Sequence, residues 1–185
     1  WNVNKEKLKD SFGAIPQDRI TFQLLCKIVY LSYPSPFNKK DILLIGDKNP
    51  TYSIFTKELI EVFPDAKFIH LLRDYRDNIV SNVKIFKAEK IAVAAQGWIA
   101  YNKHIDNEKL KHPSQFITAR YEDIVENPKE NVLAICNFLG IEFNEKMLHF
   151  DKVIKEKAQN EYKKFDKEIA YSHPNIVDPI NTKNV

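Results

Sequence analysis

The hydrophobic pattern of the 185-residue chain separates segments with helical spacing from shorter, continuous apolar runs. In the helical segments apolar residues recur every three or four positions, so each helix has one face to bury against a core. The predicted helices are Lys5 to Phe12, Asp18 to Ser32, Thr51 to Phe63, Asp74 to Lys87, Ile91 to Leu110, Asn127-Pro128 to Gly140 and Asn144 to Ile169. The pairs His173-Pro174 and Asp178-Pro179 then predict an extended tail.

Short apolar runs bounded by polar residues predict strands, and the continuous run Ile42 to Gly46 is typical of a strand covered on both faces. These strands are Ile42 to Gly46, Lys67 to Leu72 and Gln115 to Ala119. Helices lie between them in the chain, an order typical of a parallel sheet with right-handed crossovers. The chain is 44% hydrophobic and long enough for one core. We therefore predict a single α/β domain over residues 1–185, with helices flanking a parallel sheet.

The charge balance excludes a strongly basic, non-specific nucleic-acid binder. Lys and Arg number 28 against 25 Asp and Glu, which leaves a formal net charge of only +3. Any site for an anion must therefore be local. No apolar run approaches the roughly 20 residues that a membrane-spanning helix needs, so we expect this segment to be soluble. The expected location is cytoplasmic, and the alternative is a protein whose N-terminal signal or anchor lies outside this segment.

The two cysteines, Cys26 and Cys136, lie within apolar helical patterns, where a free thiol behaves as a small hydrophobic side chain. A disulfide framework is not expected. The histidines and cysteines show no spacing typical of metal ligands, so the sequence predicts no metal site. His70 lies in an apolar strand, which favours a hydrogen-bonded core histidine over a catalytic base.

The junction after the second predicted strand is the most informative part of the sequence. Arg73 follows Leu72 directly and precedes an amphipathic helix. In open parallel sheets ligands bind at the carboxyl ends of strands, where a helix N-terminus also favours anions. A guanidinium matches the oxygens of a phosphate, and Ser81, about two turns into the helix, could donate to the same group. The alternative is that Arg73 pairs with Asp77 and Ser81 is merely solvated.

Two further segments carry polar or aromatic residues at predicted strand exits. Lys48 follows the first predicted strand and would therefore share the carboxyl edge of the sheet with Arg73. A loop lysine before the turn residue Pro50 is the alternative, and Asp47 would either contact a substrate or cap that turn. Tyr121 follows the third strand, where it could face a ligand or pack the strand against the next helix.

These segments resemble the 3′-phosphoadenosine-5′-phosphosulfate (PAPS)-dependent sulfotransferases of the bacterial, carbohydrate and tyrosylprotein types. The family has Arg-(Asp/Asn)-Pro-(Arg/Lys)-Asp after a strand, with Ser eight residues after the first Arg; Arg73 and Ser81 match, and Tyr75 replaces the Pro. Its Glu/Asp-Lys-(Thr/Ser/Asp)-Pro element resembles the segment around Lys48, with Asn49 as a departure. Its Arg-Tyr-Glu-Asp-Leu segment resembles the run that contains Tyr121. The resemblance extends from about Ile42 to Phe143.

The resemblance implies a P-loop-like parallel-sheet fold and transfer of a sulfuryl group from PAPS to a hydroxyl or amine of a carbohydrate, peptide or small molecule. It implies that Arg73 and Ser81 bind the 3′-phosphate, that Tyr121 approaches the adenine and that Lys48 assists the transfer. Sulfuryl transfer, like phosphoryl transfer, depends mainly on positioning and on cations at the developing negative charge.

Two parts of such an enzyme are not recognised in this sequence. The family's loop of the type Pro-Arg/Lys-Ser-Gly-Thr-Thr, which binds the 5′-phosphosulfate, has no counterpart, and nothing selects a general base among Asp18, Asp10 and Glu6. We expect an N-terminally truncated segment, inactive alone. The alternative is a non-catalytic nucleotide-binding or protein-interaction relative. A P-loop kinase is disfavoured because Gly-x-x-x-x-Gly-Lys-Ser/Thr does not occur.

Overall fold

The computed structural model describes residues 5–32, 39–86, 91–149 and 152. The helices are α1 (Lys5–Gly13), α2 (Phe22–Ser32), α3 (Thr56–Val62), α4 (Tyr75–Phe86), α5 (Ile91–Lys111), α6 (Tyr121–Glu126) and α7 (Pro128–Leu139). The strands are β1 (Phe68–Leu72) and β2 (Phe116–Arg120). Short 3₁₀ turns occupy Gln17–Arg19, Lys39–Asp41, Pro50–Phe55, Pro113–Gln115 and Glu145–His149.

Most predicted helices are confirmed, with differences at their ends. The predicted helix from Asp18 is a 3₁₀ turn followed by α2, and the one from Thr51 is a 3₁₀ turn followed by α3. Helix α6 was not predicted. The helix predicted from Asn144 begins as the 3₁₀ turn Glu145–His149, and its remainder and the predicted tail lie almost wholly outside the described residues.

β1 and β2 form a parallel pair in which Phe68 lies opposite Phe116 and Leu72 lies opposite Arg120. Helices α4 and α5 lie between the two strands in the chain, as a parallel connection requires. The rings of Phe68 and Phe116 stack with their centres 4.8 Å apart where both strands begin. The in-register pairing therefore brings the exits of the two strands side by side.

The prediction of a strand from Ile42 to Gly46 is wrong, because these residues have no regular secondary structure. Leu43 is 85% exposed, and Leu44 and Ile45 are exposed as well. An apolar run becomes a strand only when a neighbour supplies its ladder hydrogen bonds and other elements cover its side chains. No strand among the described residues pairs with this run.

Helix α5 organises the packing of the other elements, since it contacts α3, α4 and the 3₁₀ turn Pro50–Phe55. It also contacts the face of β1 that carries His70, through Asn102. The opposite face of β1 is open among the described residues, and Leu71 there is 57% exposed.

The buried apolar side chains of the described residues are Ile60, Ile79, Phe116, Ala119, Val125 and Cys136. No helix in the described ranges has the length and apolar composition to cross a lipid bilayer.

Helix α7 has the ends that its sequence predicts. Pro128 occupies the first turn, where a missing amide hydrogen costs nothing, although the side chain of Asn127 makes no capping bond. At the other end Gly140 has φ +72°, and the amides of Gly140 and Ile141 donate to the carbonyls of Asn137 and Cys136. This pair of bonds is a Schellman motif, which favours Gly at its left-handed position.

The two substitutions Gly140→Ala and Gly97→Ala should change stability in opposite directions. Gly140 needs positive φ, so Ala there should cost about 1 kcal/mol. Gly97 lies inside α5 with nothing within 4 Å of an added Cβ, so Ala there should stabilise by about 0.5–1 kcal/mol. Urea unfolding of both variants measures the change in the free energy of unfolding. Changes of the same sign in the two variants would contradict the roles assigned to Gly140 and Gly97.

Candidate functional site

The exits of β1 and β2 bring together two of the predicted site residues. Arg73 immediately follows β1, and Tyr121 is the first residue of α6, directly after β2. The guanidinium carbon of Arg73 lies 4.8 Å from the centre of the Tyr121 ring, which is a cation–π contact. Both side chains are half-buried. The aromatic ring thus holds the cation at the carboxyl edge of the sheet, where ligands of parallel α/β proteins bind.

Asp74 caps α4, as its position in the sequence predicts. Its carbonyl accepts from the amide of Asn78 in the first helical bond, and its Oδ1 accepts from the amide of Arg76 at 2.8 Å. The Arg76 side chain donates to both carboxylate oxygens of Asp74 at 2.9 Å. Chiefly through this side-chain bond, Arg76 lowers the pKa of Asp74 to about 2. Asp74 is therefore ionised over the whole physiological pH range.

Glu122 contributes a second carboxylate at the start of α4, a role that the sequence analysis missed. Its Oε1 accepts from the amide of Asp74 at 2.9 Å, across 48 residues of chain. The backbone amides of Asp74 and Arg76 thus both donate hydrogen bonds to carboxylates. An anion at this edge would depend mainly on side chains such as Arg73, because these two helix-terminal amides already have acceptors.

Tyr75 stands where the family that the sequence resembles has Pro, and the structure shows that this position is the start of a helix. Tyr75 is the first residue of α4, the position at which Pro is favoured in helices generally. Its ring is half-exposed and lies edge-on to Trp98, 6.1 Å between centres. The replacement therefore leaves the start of α4 intact and removes no polar group.

Ser81 lies on α4, six residues beyond Tyr75, which corresponds to about 9 Å along the helix axis. Its side chain is half-buried, unlike that of a fully solvated helix serine. The joint binding of one phosphate by Ser81 and Arg73 stays a prediction.

Lys48 lies in an exposed loop instead of at the end of a strand, because the strand predicted before it does not form. The expectation that Lys48 shares a sheet edge with Arg73 therefore loses its structural basis. The loop itself is well anchored. Asp47 Oδ1 accepts from the amide of Lys48 at 2.8 Å, and Oδ2 accepts from the hydroxyls of Tyr30 and Tyr52, both at 2.5 Å.

The hydrogen bonds to Asp47 give it a structural role in the loop. Partial burial alone would raise the pKa of this carboxyl, but the bonds from Tyr30, Tyr52 and the Lys48 amide outweigh it and lower the pKa. A carboxylate with a lowered pKa is a poor proton acceptor. Asp47 therefore ties the Lys48 loop to α2 through Tyr30 and to the following turn through Tyr52.

Asn49 departs from the family's usual residue but retains its capping function. Its Oδ1 accepts from the amide of Thr51 at 3.1 Å and from the Thr51 hydroxyl at 2.7 Å, directly before the turn Pro50–Phe55. Thr, Ser, Asp and Asn are all good N-cap residues. The substitution therefore preserves the geometry of the loop that carries Lys48.

His70 is a buried strand histidine, as predicted, with 7% exposure. One of its ring nitrogens, Nε2, lies 2.8 Å from Asn102 Oδ1, and the amide nitrogen of Asn102 donates to the Trp98 carbonyl at 2.7 Å. Since Asn102 presents an acceptor, His70 Nε2 carries the proton. The pair joins β1 to α5 and supports the position of the strand that leads directly into Arg73.

Comparison with known sequences decides the family. The sequence profile of the Sulfotransferase family matches residues 6–145, more than half of the chain. The chain belongs to the sulfotransferase family. Over 117 residues, 56% of the chain, this family member is 30% identical to an omega-hydroxy-beta-dihydromenaquinone-9 sulfotransferase, Stf3, of Mycobacterium bovis. Over 147 residues, 74% of the chain, it is 26% identical to a putative protein-tyrosine sulfotransferase of Caenorhabditis elegans.

Solved structures confirm the α/β sulfotransferase fold. The sulfotransferase domain of the curacin biosynthetic pathway superposes with a TM-score of 0.56 at 24% identity, over 69% of this chain and 45% of that domain's chain. The sulfotransferase domain of the Synechococcus PCC 7002 olefin synthase gives the same TM-score and identity over 78% and 55%. This chain spans 29% of the mycobacterial enzyme and 53% of the nematode protein.

Replacing Arg76 with Ala should raise the pKa of Asp74 from about 2 toward its ordinary value of 3.8, because the strongest hydrogen bonds to the carboxylate are lost. Arg120→Ala should raise it less, since Arg120 acts only through its more distant charge. The folded pKa lies below the unfolded one, so Asp74 contributes stability above about pH 4 that is lost as the pH falls toward 2. NMR titration of the Asp74 carboxyl carbon measures the midpoint. An unchanged midpoint in Arg76→Ala would contradict the assignment.

Proposed function

We propose that this sulfotransferase segment binds the nucleotide end of PAPS at the exits of β1 and β2, with Arg73 and Ser81 on the 3′-phosphate and Tyr121 near the adenine. The observation that carries the proposal is the Arg73 guanidinium stacked on the Tyr121 ring at the edge of a parallel sheet. Arginine offers a planar fork of donors that matches phosphate oxygens, and an aromatic ring suits a purine.

The charges around this edge fit an anionic ligand. Arg76 and Arg120, 74% and 59% exposed, lie beside Arg73 along the chain or at the neighbouring strand exit. Asp74 and Glu122 are engaged by amides and by these arginines, so their negative charges are partly compensated. The site therefore presents exposed cationic side chains toward solvent, while its carboxylates are tied to the backbone.

PAPS would supply the activated sulfuryl group, and adenosine 3′,5′-bisphosphate (PAP) would be its product. The role proposed for Lys48 is to neutralise negative charge at the leaving 5′-phosphate. Support comes from the capped loop in which Asp47 and Asn49 hold the backbone on either side of Lys48. A long, exposed side chain on a fixed backbone can reach a ligand without reorganisation of the loop.

The proposed acceptor is a hydroxyl group on a small molecule, carbohydrate or peptide, with an amine as the less favoured choice. The names of the two relatives describe a hydroxylated menaquinone and a protein tyrosine, and both carry a hydroxyl. The parent molecule that bears this hydroxyl is set by pocket loops that vary freely on one scaffold.

Arg73→Ala should weaken the binding of PAP by about 30-fold, which corresponds to about 2 kcal/mol for a charge-assisted contact. Isothermal titration calorimetry with PAP measures the change. Arg19→Ala is the matched control, because Arg19 is exposed in the turn Gln17–Arg19 and takes no part in the strand exits. Equal affinities of the Arg73 and Arg19 variants for PAP would refute the proposed site.

Ser81→Ala should weaken PAP binding by about threefold to tenfold, the range for one neutral hydrogen bond. If Ser81 and Arg73 contact the same phosphate, the two substitutions should be non-additive in a double-mutant cycle. Ser114→Ala, an exposed serine before β2, serves as the control. Full additivity of the Ser81 and Arg73 substitutions would show that their side chains act on different groups.

A further inference from the structure

Glu122 is a carboxylate in an unusual setting, since only 15% of its side chain is exposed. One oxygen, Oε1, accepts from the amide of Asp74 at 2.9 Å. The other, Oε2, is buried and has no hydrogen bond among the described residues, and the nearest cationic atom recorded for it is Arg120 Nε at 3.8 Å. Burying a partly satisfied carboxylate is costly, so this arrangement calls for a compensating role.

The amide that Glu122 binds belongs to the peptide bond between Arg73 and Asp74. Holding this peptide limits the backbone rotation that would swing the Arg73 side chain away from the sheet edge. The adjacent residue, Tyr121, holds the other end of Arg73, with its ring 4.8 Å from the guanidinium carbon. Two consecutive residues of α6 therefore hold the backbone and the head group of one arginine.

The bond from Glu122 differs from a capping box, in which a glutamate of the capped helix itself accepts from the amide of the capping residue. Asp74 already caps α4 by accepting from the amide of Arg76. Glu122 binds the amide of the capping residue itself, two positions before Arg76, and it does so from the neighbouring strand's exit. Its hydrogen bond therefore determines how β2 and α6 are placed against Arg73, in addition to any contribution to the helix.

We infer that Glu122 is a positioning residue, which holds the Arg73–Asp74 peptide so that the Arg73 guanidinium stays on the Tyr121 ring in the geometry that binds the nucleotide. The inference rests on the proposed function for its nucleotide part. Its structural part, the dependence of Arg73 orientation on Glu122, holds without any ligand.

A ligand-free experiment tests the structural part. Protons of the Arg73 side chain near the Tyr121 ring should show ring-current-shifted NMR signals in the unaltered chain. Glu122→Ala should move these signals toward random-coil values, while Glu122→Gln, which keeps a carbonyl oxygen for the Asp74 amide, should leave them nearly in place. Glu126→Ala is the matched control, because Glu126 is exposed one turn later on α6. Arg73 signals that keep their ring-current shifts in Glu122→Ala, or equal losses of these shifts in the Ala and Gln variants, would overturn the inference.

A binding experiment tests the nucleotide part, with PAP as the probe and calorimetry as the readout. Glu122→Ala should weaken PAP binding by about tenfold, and Glu122→Gln should recover most of that loss. In an Arg73→Ala background, Glu122→Ala should have almost no further effect on affinity, because it acts through Arg73. An undiminished effect in that background would overturn the positioning role.

The two experiments separate failure of the inference from failure of the proposed function. If the unaltered chain does not bind PAP, the proposed site is refuted, and the NMR comparison alone decides whether Glu122 orients Arg73. If Glu122→Ala does not fold, the Gln variant decides. Retained Arg73 shifts in Glu122→Gln support the inference, and lost shifts in a folded Gln variant reject it.

Discussion

The parallel, in-register pairing of β1 with β2 is the constraint on which the rest of the site depends. It sets Leu72 opposite Arg120, so the next residues of the two strands, Arg73 and Tyr121, emerge side by side. Their cation–π contact and the bond from Glu122 to the Asp74 amide both follow from this adjacency. A slip of the register by one residue would reverse the faces of the strand and separate all of these groups.

Charge at the strand exits is arranged so that carboxylates organise the backbone and arginines face outward. Asp74 and Glu122 accept from amides at the start of α4, and Arg76 and Arg120 lie against them while remaining largely exposed. Such a site can attract an anion even though two of its acidic groups lie close by. The same logic applies to the Lys48 loop, where Asp47 is tied to Tyr30 and Tyr52 and Lys48 is left in solvent.

Much of the fold and part of the site follow from local sequence. Helix α7, with Pro128 at its start and Gly140 after its end, was predictable because its end signals act within a few residues. Strands β1 and β2 were predictable because both are short apolar runs with polar boundaries. The run from Ile42 to Ile45 has the same composition, yet it does not form a strand among the described residues, because a strand also needs a distant partner.

The sequence by itself determined the resemblance to the family through its motifs. It also determined the strand that leads into Arg73 and the helix that Asp74 caps, since these two elements depend on contacts between near neighbours in the chain. Only the tertiary structure decided that Tyr121 holds the Arg73 guanidinium, that Glu122 binds the Asp74 amide and that Asp47 receives the Tyr30 hydroxyl. The physical reason is range: these partners lie 17 to 48 residues apart. No periodicity or local spacing encodes which side chain meets which amide across such a distance.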